Sequence, residues 1–279
     1  MREKELFKRR QYFDITAATL GISREDWYCY KNGMTQAEIS QTMLAEKFDI
    51  VPIEKSNGEV LRYYKLVEAS NGTLETCDIQ ADDKLYYATQ IGDVISIMNK
   101  NKKTHYFLTN LKSNNDILGL ISLTNFNNRE FYVYLYSLIS YVEKELSSLI
   151  LSNKDQAFEI LDKKYDESDD DNLKEQWSEI KRRYRDDMSK SNENNYKEYL
   201  YINQINCLIA EEGGFKKLGY TKAEIFLSGT GIIKGVRNGI SHPVKSLVKD
   251  LNDLKKIEKS LIKLYELTER LENNKIKHG

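Results

Sequence analysis

No apolar run in the sequence approaches the roughly 18 residues that a membrane span needs, so no membrane partner is expected. Cysteine is scarce: Cys29, Cys77 and Cys207 are the only three in 279 residues. Their odd number and wide separation leave no CxxC pair, which argues against a disulfide framework or a zinc knuckle, and they are expected to be buried thiols. The three histidines, His105, His242 and His278, have no metal-ligand spacing either, so neither a structural metal nor a required cofactor is expected. Neither sign of charge dominates, because 42 Lys and Arg face 43 Asp and Glu for a formal net charge of -1. Any nucleic-acid contact must therefore rest on a local patch. The opening MREKELFKRRQ has no apolar core of the kind a secretory signal carries, and the cytoplasm is the expected location.

What is present divides the chain in two. Its length has room for two domains, each burying a core, and the patterning changes near residue 128. Before that point short helical and strand-like segments alternate. An amphipathic helix is predicted from Thr35 to Lys47, a strand from Asp49 to Ile53 and a second strand from Val60 to Val67. The turn between them, Ser56-Asn57-Gly58, is a hairpin signal. The same order recurs with a helix from Ile91 to Asn99, a strand from His105 to Asn110, a polar loop LKSNND and a strand from Ile117 to Leu123. This is a two-copy repeat with a period of about 55 to 60 residues, longer than solenoid units.

Beyond residue 128 the pattern is helical. Leu135, Leu138, Ile139, Val142, Leu146, Leu149 and Ile150 fall on one face of a first helix. Glu143 lies mid-face there, either as a support for an arginine or as a surface carboxylate. A second helical region carries Phe158, Ile160 and Leu161, then, after the acidic DESDDDN, Leu173, Trp177, Ile180 and Tyr184. A third runs from about Tyr196 to Glu211 and stops at Gly213-Gly214. A short helix follows, and a last one carries Leu247, Leu251, Leu254, Ile257, Leu261, Leu264, Leu267 and Leu271. The expectation is an antiparallel helical bundle.

In the first half, KFDIVPIEKSNGEV and THYFLTN followed by ILGLISLTN resemble a tandem cystathionine-beta-synthase (CBS) domain pair. The resemblance divides the chain into an N-terminal segment, 1–33, packed on a CBS-like α+β regulatory pair of β-α-β-β-α units, 34–128, and a helical domain, 129–279. It also implies an adenine-nucleotide ligand. In that family a glycine, two apolar residues, a serine or threonine, two more residues and an aspartate close the second strand. The hydroxyl meets a phosphate and the aspartate the ribose. Gly119 to Asn125 fit that frame, with Ser122 as the hydroxyl and Asn125 where the aspartate stands. Ser122 and Asn125 are equally good N-cap residues for a following helix. In the first copy, Arg62 to Glu68 lack both the glycine and the hydroxyl.

In the second half, GVRNGISHP, running from Gly235 to Pro243, resembles the HEPN superfamily. Its ribonuclease members carry an arginine, a polar residue, three more residues and a histidine. The resemblance implies an all-α HEPN-like bundle and a metal-independent endoribonuclease that acts as a homodimer through both domains. It leaves a cyclic phosphate after 2'-hydroxyl attack, and defence or stress-response toxicity is the implied role. The residue types suit that chemistry. Histidine is the side chain whose unperturbed pKa lies nearest neutrality, so His242 suits the general base or acid. Arg237 presents a permanent planar charge to the phosphate, and Asn238 orients the histidine or a phosphate oxygen.

Residues five apart on one helix diverge by about 140°. Gly239 and Pro243 are therefore expected to break the helix between Arg237 and His242, with Ser241 or His242 capping the last helix. Lys234, Lys245 and Lys249 add local charge for RNA. The run KRRYR, Lys181 to Arg185, either extends that groove or forms a solvated face offset by DESDDD. The alternative reading is a non-catalytic dimer that senses nucleotide or binds RNA, with Arg237 and His242 in structural roles.

Overall fold

The computed structural model describes residues 15–30, 34–46, 48–68, 72–110, 113–190, 195–240 and 246–278. It is an α+β protein with a sheet-rich N-terminal half and a helical C-terminal half. It divides into two compact units. One takes the chain up to Tyr132 together with Val248–Lys255, and the other takes Val133–Leu247 and the chain from Lys256 on.

The first unit holds helices α1 (Ala17–Leu20), α2 (Gln36–Glu46) and α3 (Ile91–Asn101). Its strands are β1 (Ile22–Ser23), β2 (Ile50–Glu54), β3 (Val60–Glu68), β4 (Thr73–Asp78), β5 (Lys84–Tyr86), β6 (His105–Asn110) and β7 (Ser113–Ser122). Strands β2, β3 and β4 form one antiparallel sheet, while the other has the order β1-β7-β6-β5. The predicted repeat is visible in the topology. Strand β5 pairs parallel with β6, which pairs antiparallel with β7, and α3 fills the crossover. In the first copy a parallel bridge from Tyr30 to Ile53 takes the place of β5, and β2 pairs antiparallel with β3. The Asn57-Gly58 turn closes the β2–β3 hairpin, with Gly58 at φ 82° and Asn57 Oδ1 accepting from Glu59 N at 3.0 Å.

One core cluster draws on both copies and on the N-terminal segment, packing Trp27, Cys29, Ile50, Val60, Tyr63, Phe107, Ile117 and Leu120. Gly119 lies where β1 crosses β7. A Cβ there would meet the carbonyl oxygen of Ile22 at 2.4 Å, so its absence lets two backbones touch.

Several features differ from expectation. The predicted loop LKSNND carries the start of β7 from Ser113, and β4 was not foreseen, whereas β5 is the leading strand that the β-α-β-β-α unit implies. Of the cysteines only Cys29 is buried; Cys77 and Cys207 are half-buried free thiols.

The second unit is all helix: α4 (Arg129–Ser147, shared with the first unit), α5 (Lys154–Asp166), α6 (Asp171–Met188), α7 (Ile202–Glu211), α8 (Ala223–Ile240) and α9 (Leu251–His278, also shared). Helix α4 buries Leu135, Leu138, Ile139, Val142 and Leu146, the three- and four-residue stripe expected of a core-facing helix. It stops at Ser147, so Leu149 and Ile150 are buried from the turn beyond it rather than from its face. The third helical region is a short 3-10 turn, Tyr196–Tyr199, followed by α7. The expected short helix is the 18-residue α8, which buries Phe226, Thr230, Ile233, Val236 and Ile240.

The last helix begins at Leu251, capped by Asp250, whose Oδ1 accepts from Asn252 N at 2.8 Å and Asp253 N at 2.9 Å. Leu247 is therefore not on it, and neither Ser241 nor His242 is its cap. Among the described residues no helix is long and apolar enough to cross a membrane.

Candidate functional site

Helix α8 turns its apolar face inward, which leaves Arg237, one residue past buried Val236, at the edge of that face and half-buried. Glu143 and Tyr201 both hold the guanidinium. Its Nε donates to Glu143 Oε1 of α4 at 3.2 Å, and its central carbon stands 4.9 Å from the ring centre of Tyr201. Glu143 thus takes the supporting role open to it. Burial raises its pKa above the ordinary carboxylate value, and the nearby Arg237 charge opposes that rise.

Tyr201 precedes the first turn of α7. Its backbone N donates to Gln204 Oε1 at 3.2 Å, and Gln204, fully buried, donates in turn to the hydroxyl of Tyr165 at 2.6 Å. The Tyr201 hydroxyl accepts from Arg183 Nη2 of α6, and the Arg183 guanidinium carbon lies 5.5 Å from the same ring. Two arginines therefore converge on one tyrosine, a polarised ring that attracts cations. Two permanent cations beside a half-buried carboxylate can hold anionic oxygens; a guanidinium with a fixed plane does so directionally.

Asn238 follows Arg237 about 100° further round the axis and is exposed. Lys234, one turn earlier, is also exposed. Gly239 lies within α8 rather than breaking it, and a Cβ there would meet Leu247 Cδ1 at 2.7 Å. Its missing side chain makes room for Leu247. His242 and Lys245, with Ser241 and Pro243, lie outside the described residues. Lys249 is exposed in the Val248–Lys255 segment of the first unit.

KRRYR is in part a charge-compensated face. Lys181 pairs with Asp162 at 2.5 Å, and Arg182 pairs with Glu179 at 2.8 Å and Asp186 at 3.2 Å. The compensating carboxylates are these three rather than DESDDD. Arg185 donates from Nε to Lys181 O at 3.2 Å, and Arg183, with a longer ion pair to Glu179 at 3.7 Å, joins the Tyr201 cluster. The roles of Arg183 and Tyr201 were not foreseen from the sequence. No spacing marks contacts between residues 18 and 36 positions apart on different elements.

In the first unit Ser122 and Asn125 are in contact with each other. Asn125 is buried, and its Oδ1 accepts from Ser122 N at 2.7 Å and Ser122 Oγ at 3.1 Å; Ser122 Oγ also lies 2.8 Å from Thr124 Oγ1. The Asn125 side chain thus reaches back to cap the backbone N–H at the start of the 3-10 turn Leu123–Asn127. Among the described residues no group of three or more His, Cys, Asp or Glu could hold a metal. Three surface clefts of the helical unit, of about 570, 510 and 360 Å³, contain none of the predicted site residues.

No protein-family model matches the sequence, and no curated protein matches it. Among solved structures, a hemolysin-like protein containing a CBS domain from Oenococcus oeni PSU is 14% identical with a TM-score of 0.32, covering 43% of this chain and 93% of its own. A functionally unknown conserved protein domain from Neisseria meningitidis MC58 is 9% identical with a TM-score of 0.30, covering 44% of this chain and 84% of its own. Likeness at this level fixes neither the fold nor a function of this chain.

Proposed function

We propose that the helical unit is a metal-independent endoribonuclease of the HEPN type, controlled by a CBS-like N-terminal unit. The observation that carries this reading is the fixed orientation of Arg237 between Glu143 and Tyr201. An arginine held in this way is set to stabilise the charge that builds on a phosphate while a 2'-hydroxyl attacks it. His242, five residues on in the motif, is the proposed general base or acid, and Asn238 its positioning partner. Lys234, Lys245 and Lys249 are proposed contacts to the RNA backbone. One motif per chain favours a site completed in a homodimer.

For the regulatory half, the two helix-strand-strand copies with their parallel entry support a CBS-like pair. An adenine nucleotide is the proposed ligand, with its phosphate at the Ser122 hydroxyl. Asn125 is already engaged in the cap, so its proposed share in the ribose contact is the weaker one. A ligand of this kind controls cleavage only by preferring one of two arrangements of the protein. A cutter under such control fits a defence or stress-response toxin, by analogy of fold class alone.

Incubation of the full chain with single-stranded RNA in EDTA tests the reading. Wild type should release fragments ending in a cyclic phosphate, while His242→Ala and Arg237→Ala should not. Equal products from wild type and His242→Ala would leave the alternative, a non-catalytic regulatory dimer. The Glu143–Arg237 pair supports that alternative too, as a structural tie between α4 and α8. Calorimetry with AMP, ADP and ATP tests the sensor: binding should weaken in Ser122→Ala, and no heat with any of them removes the ligand from the proposal.

A further inference from the structure

Within the KRRYR run, Arg183 pairs with its carboxylate only at long range and places its hydrogen bond elsewhere. Both Glu179 oxygens engage its neighbour Arg182, at 2.8 and 2.9 Å. Arg183 Nε stands 3.7 Å from Glu179 Oε1, beyond hydrogen-bond length. Its hydrogen bond goes instead to a neutral phenol, the hydroxyl of Tyr201. That phenol's ring lies under Arg237. An arginine cannot shed its charge, so drawing a second one toward Arg237 works against Coulomb repulsion. The arrangement has a use if an anion sits between or across the pair.

We infer that Arg183 and Arg237 form a two-arginine clamp for successive phosphates of one nucleic-acid strand, with Tyr201 as the positioning residue that joins them. Guanidinium carbons within 5.5 Å of one ring centre are close enough to engage neighbouring phosphates of a single strand. The two functions of Tyr201 are chemically separate. Its ring faces Arg237, and its hydroxyl holds Arg183. Exposed Lys234, one turn before Asn238 on α8, extends the same charge along the helix. The clamp binds backbone and is indifferent to the 2'-hydroxyl, so it should hold DNA as well as RNA. It rests on reading the helical unit as a nucleic-acid site, and it does not require cleavage.

The test is fluorescence anisotropy of the full chain with a labelled 12-nucleotide DNA and its 2'-O-methyl RNA counterpart, neither of which can be cut by 2'-hydroxyl attack. Binding is measured at several salt concentrations for wild type, Arg183→Gln, Arg183→Lys and Tyr201→Phe. Each lost phosphate contact should lower the slope of log K against log salt by about 0.7 for a single strand. Arg183→Gln should therefore lower the slope by that amount and weaken binding roughly tenfold at low salt. Arg183→Lys should restore the slope while leaving affinity reduced, since an ammonium lacks the planar fork. Tyr201→Phe keeps the ring under Arg237 and should weaken binding by a smaller factor than Arg183→Gln.

A merely structural Arg183 would change the melting temperature and leave the salt slope alone, and an unchanged slope in Arg183→Gln overturns the clamp. If wild type binds both strands through the clamp yet cuts no RNA, the clamp stands and the ribonuclease reading falls. If wild type cuts RNA and the Arg183 variants bind as wild type does, the clamp falls alone. Absence of binding to either strand overturns the clamp, while RNA cleavage decides the ribonuclease reading separately.

Discussion

Acid should destabilise the first unit through one histidine. His105 opens β6 with its ring 5.3 Å from that of Tyr63 and 6.0 Å from that of Phe107, both near edge-on. Burial among these rings pushes its pKa down to about 4. The Asp83 charge opposes the shift, and the Lys65 and Lys103 charges add to it. In the unfolded chain the same imidazole titrates near 6.5. The folded state therefore prefers the neutral ring, and the unfolded state binds the proton first. The stabilisation is whole above pH 6.5, falls as pH drops from 6.5 to 4, and levels off below that.

The full difference is about 3 kcal/mol, and about 2 kcal/mol is gone by pH 5. Urea titrations at pH 8, 6 and 5 would measure it, followed by the fluorescence of Trp27, which is buried in the same core cluster. His105→Phe keeps an aromatic ring against Tyr63 and removes the titration. Comparing the variant with wild type cancels contributions from other titrating groups. If both lose the same stability between pH 8 and pH 5, His105 is not buried in its neutral form and the reasoning fails.

Gly119→Ala should destabilise the first unit by about 2 kcal/mol, because the added Cβ meets backbone, the Ile22 carbonyl, rather than a side chain that can move; the urea midpoint reads this directly. Gly231→Ala and Gly235→Ala in α8 should have the opposite sign, each stabilising the helical unit by about 0.5 to 1 kcal/mol, since a Cβ at either meets nothing within 4 Å. A lower melting temperature at low protein concentration would contradict that. Asn125→Ala should remove the cap on the Leu123–Asn127 turn and lower stability by about 1 kcal/mol. Ser122→Ala should affect nucleotide binding more than Asn125→Ala does, and calorimetry on both variants compares them.

The parts of the fold legible in the sequence were those whose patterns are local. Asn57-Gly58 between two apolar runs announced the β2–β3 hairpin, and HYFLTN matches β6 from His105 to Asn110. Strand β4 escaped notice because Thr73–Asp78 has no buried face to impose alternation, only intermediate and exposed positions, and owes its form to pairing with β3. Gly229, Gly231, Gly235 and Gly239 lower helix propensity along α8, which is longer than the short helix expected. Packing of Phe226, Ile233, Val236 and Ile240 overrides that. Leu247 keeps step with Leu251 and Leu254 and so prolongs the apparent last helix, but the Asp250 carboxylate ends the ladder before it. At the candidate site the sequence left Glu143 open between support for an arginine and a surface carboxylate, and its bond to Arg237 decides for the first. Tyr201 was not legible, because it sits between a 3-10 turn and α7 where one continuous helix was expected.

The first unit is not a contiguous stretch of chain. After Tyr132 it resumes only at Val248, and Asn127 holds that returning segment with both ends of its amide: Nδ2 to Val248 O at 2.7 Å and Oδ1 from Val248 N at 2.9 Å. On the ribosome, then, the N-terminal unit stays incomplete until most of the helical unit has been made. Protein synthesis delivers the chain carrying Arg183, Tyr201 and Arg237 before the unit proposed to restrain it has its last piece.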